Sequence, residues 1–268
     1  PLVYQPLGGI AVIATNTWAA IQGRNALKII WDSGVNGSYD SREYQQRLEQ
    51  KAREPGRVIR SQGDINAGLA AATTRLDAEY YVPHLSHAPM EPPVATARMT
   101  STGVQVWAAT QNPQADQAEV SRMLGLQPAQ VEVHVTLLGG AFGRKSKPDF
   151  SSEAAYLAQQ SGFTIRLQWT REDDIQHDFY HTVSAQKLSA GLDDQGKILA
   201  FRHRTVFPSI GALFSAGTTN PSAGELSQGF SDSPISAPNL QLEVGEAQAH
   251  VRIGWLRSVN NIHHCFAI

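Results

Sequence analysis

The stretch VEVHVTLLGGAFGRKSKPDF, residues 131–150, constrains this chain more than any other. Val131, Val133, Val135 and Leu137 alternate with Glu132, His134 and Thr136, the period-2 pattern of a half-buried strand. Gly139, Gly140 and Gly143 interrupt it, and a helical pattern then runs from Phe150 to Ser161, with Asp149 or Ser151 as candidate cap and Gly162 as its stop. Glycines at the end of a buried strand allow positive φ and let another group approach bare backbone closely. Two uses are open: a tight strand-to-helix turn, or converging N–H groups that receive an anion or an oxo ligand. A phosphate loop needs Gly directly before Lys-Ser, where Arg144 stands, and the dinucleotide fingerprint needs a G-x-G that the stretch lacks.

The flanking sequence predicts an α+β fold with mixed sheets and packed helices. Leu76, Ala78, Tyr80 and Val82 alternate with polar residues in TRLDAEYYV, and Val104, Val106 and Ala108 do so in TGVQVWAAT. Asn112 as N-cap, Pro113 at the first helical position and Gly125 at the end delimit a helix. FTIRLQWT predicts another strand, residues 181–207 an antiparallel hairpin around a DDQG turn, and residues 208–238 a long Gly/Ser/Pro/Thr-rich loop, ordered over another surface or mobile. Upstream, GIAVIAT and LKIIW predict two strands around a short helix capped at Asn16 or Thr17. Between the two regions lie the turn-rich SGVNGSYDS and a polar, surface-lying helix, SREYQQRLEQKAR. The expected divisions are 1–33, a connecting segment 34–73, and 74–268.

Lys+Arg 22 against Asp+Glu 24, with no basic run, excludes the positive field that nucleic acid requires. The single cysteine, Cys265, excludes a disulfide framework, a cysteine-rich metal site and an iron–sulfur cluster within these residues. No apolar run is long enough to span a bilayer and no signal is visible. The absence of an initiator Met predicts a piece of a longer chain. His84 and His87, His177 and His181, and His263 and His264 lack the third ligand and Glu of a zinc enzyme, so they are expected as surface or hydrogen-bonded core residues. Glu172, Asp173 and Asp174 are expected at a solvated turn or helix start.

Four motifs in order, YYVPHLSHAPMEPPVATA, VWAATQNPQ, LLGGAFGRKSKPDF and GWLRSVNNIHHCFA, resemble the molybdenum-cofactor-binding large subunit of the xanthine oxidase and aldehyde oxidoreductase family. The resemblance is strongest to its bacterial isoquinoline 1-oxidoreductase and aldehyde dehydrogenase branch. It extends over nearly the whole chain, with TWAAIQGRNAL similar to the end of that family's hammerhead domain and 74–268 to the first part of its cofactor domain.

The resemblance implies a molybdopterin, in its cytosine dinucleotide form, carrying molybdenum with no protein side-chain ligand. It places Gln111 at an oxo ligand, the Gly140, Ala141, Phe142 and Gly143 backbone against the metal and pterin, and Arg257 beside the cofactor. It further implies oxidation of an aldehyde or an aromatic N-heterocycle with water as oxygen source, and a small [2Fe-2S] partner subunit. A membrane cytochrome as acceptor and a periplasmic or membrane-associated location follow from it as well. Ser146 stands where purine-oxidising members carry a substrate-binding glutamate, so purine recognition is not implied. The family's catalytic glutamate is expected beyond Ile268; no catalytic residue falls within the chain, and the piece is expected to be inactive alone. The alternative is a non-catalytic binding or assembly module in which GGAFG is only a turn.

Overall fold

The computed structural model describes residues 8–34 and 37–268. Its helices are α1 (Thr17–Asn25), α2 (Ser41–Arg53), α3 (Ile65–Ala70), α4 (Pro113–Leu124), α5 (Asp149–Ser161), α6 (Arg171–Gln176), α7 (Ala223–Leu226) and α8 (Asn261–Ala267). Its strands are β1 (Arg57–Gln62), β2 (Thr74–Val82), β3 (Val94–Met99), β4 (Val104–Ala108), β5 (Val131–Val135), β6 (Ile165–Gln168), β7 (Ser184–Leu192), β8 (Ile198–Val206) and β9 (Asn239–Gly245). The α+β expectation holds: one sheet has the order β1-β9-β8-β7-β2 and the other β5-β4-β3-β6, both with parallel and antiparallel pairs.

In the smaller sheet, Ala95, Ala97, Val104, Val106, Ala108 and Val131 turn one face toward α4 and α5, where Val120, Phe150, Ala154 and Ala158 complete a dry core. Burying Phe150 fully contributes on the order of 2 kcal/mol. Asn112 accepts from the Ala115 amide and Gly125 closes α4 at φ 69°, as the sequence predicts. α5 spans the expected residues with Gly162 at φ 74°, but neither Asp149 nor Ser151 caps it. Pro148 occupies the cap position, Asp149 turns to Arg144, and the Ser151 hydroxyl bonds Pro148 O and Asp116.

The larger sheet is covered on both faces. Leu240, Leu242, Val244 and Phe201 pack against Phe207, Leu226, Phe230 and Ala267 on one side. The residue 208–238 segment is thus an ordered cover, built of short helical turns that insert Ile210, Leu226 and Phe230 into the core. On the other side lie α2 and α3, so the segment read as a connection supplies two packed helices and an edge strand, β1, paired with β9. α2 is less superficial than expected, because Tyr44, Leu48 and Ala52, at i, i+4 and i+8, form a buried stripe. The β7–β8 hairpin forms around Asp193–Gly196, with Gly196 at φ 79°.

Two expectations at the N-terminal end are corrected. α1 forms with Asn16 as cap, but GIAVIAT and LKIIW form no strands among the described residues. Ile10, Ile13, Leu27, Ile30 and Trp31 stand exposed, Ile30 at 99%. A strand needs a partner to satisfy its backbone, and none of the described strands lies beside them. Residues 1–7 of the 1–33 division and residues 35–36 of the turn-rich stretch lie outside the described residues. α1 is tied down by Arg24, whose fork grips Asp173 of α6 at 2.5–2.6 Å.

Candidate functional site

Parallel pairing of β4 with β5 brings the ends of both strands to the same edge, so the Thr110-Gln111-Asn112 turn lies beside the glycine-rich loop after β5. β5 ends at Val135, two residues earlier than its alternation suggests, and Leu137 is 95% exposed. Three segments then hold the loop. Gln111 Oε1 accepts the Gly143 amide hydrogen at 3.0 Å, while the Gln111 amide and the Thr110 hydroxyl donate to Lys145 O at 2.9 and 3.2 Å.

On the second side Glu91 grips Gly139 in both directions: its amide donates to Gly139 O at 2.9 Å, and its carboxylate accepts the Gly139 amide at 3.1 Å and Lys145 Nζ at 2.5 Å. On the third, the Arg257 amide donates to Phe142 O at 2.8 Å, and Arg257 Cζ lies 6.0 Å from the Phe142 ring centroid. Gly143 sits at φ 110°, and a Cβ there would meet Trp255 O at 1.9 Å; only glycine fits. The amides of Gly140, Ala141 and Phe142 have no hydrogen-bond partner among the described residues.

Backbone strain gathers here. The non-glycine residues with positive φ among the described residues are Ala88 (41°), Phe142 (56°), Ser258 (71°) and Val259 (46°). Phe142 lies in the loop, Ala88 just before Glu91, and Ser258 and Val259 just after Arg257. Left-handed backbone at non-glycine residues costs on the order of 1–3 kcal/mol each and marks functional sites.

Beneath the loop is a buried ionic floor. The fully buried Arg144 guanidinium donates two bonds to Asp149 at 2.9 Å and brings Nε to 3.1 Å from Asp178. Burial pushes the Asp178 carboxyl up, but hydrogen bonds and charge from His87, with Arg144 beside it, hold it below the usual carboxylate range. Lys147 stacks 2.9 Å from the Trp255 ring centroid, and burial, followed by the Arg144 charge, pushes it down to about 7. Glu153 is pushed up to about 7 by burial and then by Asp149. Lys145 is buried against Glu91, so the one cation that a nucleotide-phosphate reading would use is already committed.

Residues 50–245 match the Molybdopterin cofactor-binding domain family, and the glycine-rich loop lies inside that span. The chain belongs to this family. It is similar to one of the subunits of the nicotinate dehydrogenase of Pseudomonas putida, 27% identical over 264 residues that cover 96% of this chain and 22% of that protein. It is also similar to the beta subunit of isoquinoline 1-oxidoreductase from Brevundimonas diminuta, 29% identical over 206 residues, 73% of this chain and 26% of that one. Among solved structures, the aldehyde oxidoreductase of Desulfovibrio gigas shares the fold with a TM-score of 0.63 at 19% identity, covering 80% of this chain and 23% of its own. The chain therefore spans about a quarter of the length of these relatives.

The sequence-derived residues meet: Gln111 and Arg257 both bond the 140–143 backbone. Sequence reasoning missed the residues that hold this arrangement from outside. Glu91, His87 and Asp178 reach the loop, its walls or one another over separations of 48–168 residues, and Ser146 lies under the loop, donating to Gly143 O and accepting from Trp255 Nε1. The histidines divide: His87, His181, His263 and His264 are buried, and half-buried His84 holds Nδ1 at 3.0 Å from His181 O. Of the acidic triplet, Asp173 completes the capping box of α6, as a helix start should, but Asp174 is buried against Arg171.

Proposed function

We propose that Gln111, Gly140, Ala141, Phe142, Gly143 and Arg257 hold a molybdopterin, in its cytosine dinucleotide form, within a larger oxidoreductase subunit. The observation that carries this reading is the run of three unpartnered amides, Gly140 to Phe142, lying between the Gln111 side chain and Arg257. Consecutive backbone N–H groups without a hydrogen-bond partner in a glycine-rich turn suit a bulky anionic ligand. When bound, the cofactor supplies two-electron oxidation of an electron-poor carbon with water as oxygen source.

The chain's own residues bind and orient. Gln111 uses Oε1 to fix Gly143 and keeps Nε2, without a protein partner among the described residues, to donate to the ligand. The exposed Arg257 offers a planar fork to an oxo group or phosphate, a role that the buried Lys145 cannot fill. Met90, Leu137, Leu138 and Phe142 form an exposed apolar rim, which excludes water from the amides once the remainder of the subunit covers it.

The substrate class is an aromatic N-heterocycle or an aldehyde, with electrons leaving through a small [2Fe-2S] subunit to a membrane cytochrome in a periplasmic or membrane-associated complex. In this reading α1 and its exposed apolar flanks, residues 9–31, belong to a hammerhead-like unit completed outside this chain, and no residue here acts as the catalytic base. The test is the intact complex, assayed for molybdenum and pterin and then for oxidation of an N-heteroaromatic and an aldehyde in ¹⁸O-water. Stoichiometric cofactor and labelled product support the proposal. A folded subunit with neither metal nor pterin overturns it.

A further inference from the structure

His87 and Asp178, in the buried floor beneath the glycine-rich loop, are joined to that loop through one carbonyl. Asp178 lies between α6 and β7 on a segment clasped from both sides: the His181 amide donates to Leu85 O, the Tyr180 amide to Arg252 O, and the Gly254 amide to Tyr180 O. The two segments that flank the glycine-rich loop, 84–91 and 252–257, therefore share the Asp178–His181 segment as a spine.

The Asp178 carboxylate accepts from Ser86 Oγ (2.9 Å), the His87 amide (2.6 Å) and the Phe179 amide (2.7 Å), with His87 Nδ1 at 2.9 Å. The opposite ring nitrogen, His87 Nε2, lies 3.2 Å from Trp255 O. That same oxygen fills the space that forbids a Cβ at Gly143.

Both ring nitrogens of His87 thus face oxygens that only accept. A neutral imidazole has one N–H and would leave a lone pair against either a carboxylate or a carbonyl. In a buried setting such a contact is costly, so the arrangement is satisfied only when both nitrogens carry hydrogen. The side chains of both His87 and Asp178 are at most 1% exposed, so water cannot take over either bond.

We propose that His87 is a positioning residue for the cofactor loop: it donates from both ring nitrogens, one N–H to Asp178 and the other to Trp255 O, and thereby seats that carbonyl under Gly143. The proposal rests on the reading of the loop as the cofactor cradle, but it concerns the loop's own geometry. Arg144, whose Nε lies 3.1 Å from the other Asp178 oxygen, and Asp174, Ser86 and the His84–His181 pair complete the surroundings of the clamp.

The experiment is backbone amide exchange by residue or short peptide in the intact subunit, prepared both with cofactor and from a cofactor-deficient host. The proteins are the natural sequence, His87→Gln and Asp178→Asn. His87→Gln keeps most of the volume but offers N–H groups from one nitrogen only, so it cannot serve both acceptors. In the cofactor-free protein the expected result is at least tenfold faster exchange in both variants, confined to 139–147 and 254–257, with α4 and the β7–β8 hairpin unchanged.

Unchanged exchange at the loop in His87→Gln would overturn the clamp. A rise spread evenly over α5, β7 and β8 would also overturn it, since it would mark His87 as a support of the core in general. The cofactor-loaded natural protein separates the two ideas: if loading leaves 140–142 unprotected while the variants still loosen the loop, the cradle reading fails and the clamp stands.

Discussion

Gln111 Oε1 and the Gly143 amide, 32 residues apart in sequence, are joined by a 3.0 Å hydrogen bond that fixes the turn after β4 to the loop after β5. Gln111→Leu removes the acceptor and the side-chain N–H groups at once. The loop loses one hydrogen bond, about 1 kcal/mol of local stability, while the β4–β5 pairing and α4 are untouched. Molybdenum and pterin per subunit are expected to fall severalfold with little change in the main unfolding transition. Full cofactor occupancy in Gln111→Leu would remove this residue from the site.

The two loop glycines at positive φ are not equivalent. Gly143→Ala adds a Cβ at 1.9 Å from Trp255 O at φ 110°, so the 254–257 segment must move. Gly140→Ala, at φ 90°, meets nothing nearer than 3.5 Å and carries only the cost of the left-handed conformation, about 1–2 kcal/mol. Cofactor content and thermal stability should therefore fall much further in Gly143→Ala than in Gly140→Ala. The reverse order would contradict the packing of Trp255 O against Gly143.

Arg144→Met keeps much of the side-chain bulk but leaves Asp149 and Asp178 buried without their shared cation. Removing one partner of a buried ion pair costs roughly 3–5 kcal/mol, far more than an exposed pair such as Arg75–Asp77 contributes. Arg144→Lys should recover little, because an ammonium cannot place two parallel bonds on Asp149 while reaching Asp178. Urea titration of the two variants checks both statements.

Acid should destabilise the fold through its buried imidazoles. Burial holds His181 at about 4, His203 at about 3 and His264 at about 4, and lowers His263 further below its ordinary value. A lowered folded-state value means that the unfolded chain takes up protons first, so stability is intact above about 6.5 and declines as pH falls toward the folded values. Glu153, raised to about 7, and Asp116, raised to about 6, act oppositely, since the folded state binds their protons first. Four lowered rings outnumber the two raised carboxyls, so the net direction between about pH 7.5 and 5 is a loss of stability. Calorimetric melting across that range should show a falling Tm; a flat or rising profile would contradict the neutral buried rings.

What could be read in advance followed local rules. Asn112, Pro113 and Gly125 delimited α4, and alternation identified β2, β4 and β5, because capping and period-2 burial act within a few residues. β3 escaped because its Ala95 and Ala97, small residues in a short run after two prolines, carry no strand signal of their own; pairing to β4 and β6 makes it central. LKIIW shows the converse, an apolar run with the right composition and no partner strand among the described residues. In the candidate site, Gln111, the glycines and Arg257 could be singled out by the motif resemblance, and the fold brings them together. His87, Asp178 and Glu91 were not, since their roles depend on contacts made only after both sheets have folded.

If a molybdopterin docks on the loop, the amides of Gly140, Ala141 and Phe142, without a partner among the described residues, receive it. Residue-resolved amide exchange on the cofactor-loaded and cofactor-free intact subunit measures this directly. At least tenfold slower exchange at these three amides is expected on loading, with α4 and α5 unchanged. Equal exchange in the two forms would contradict it.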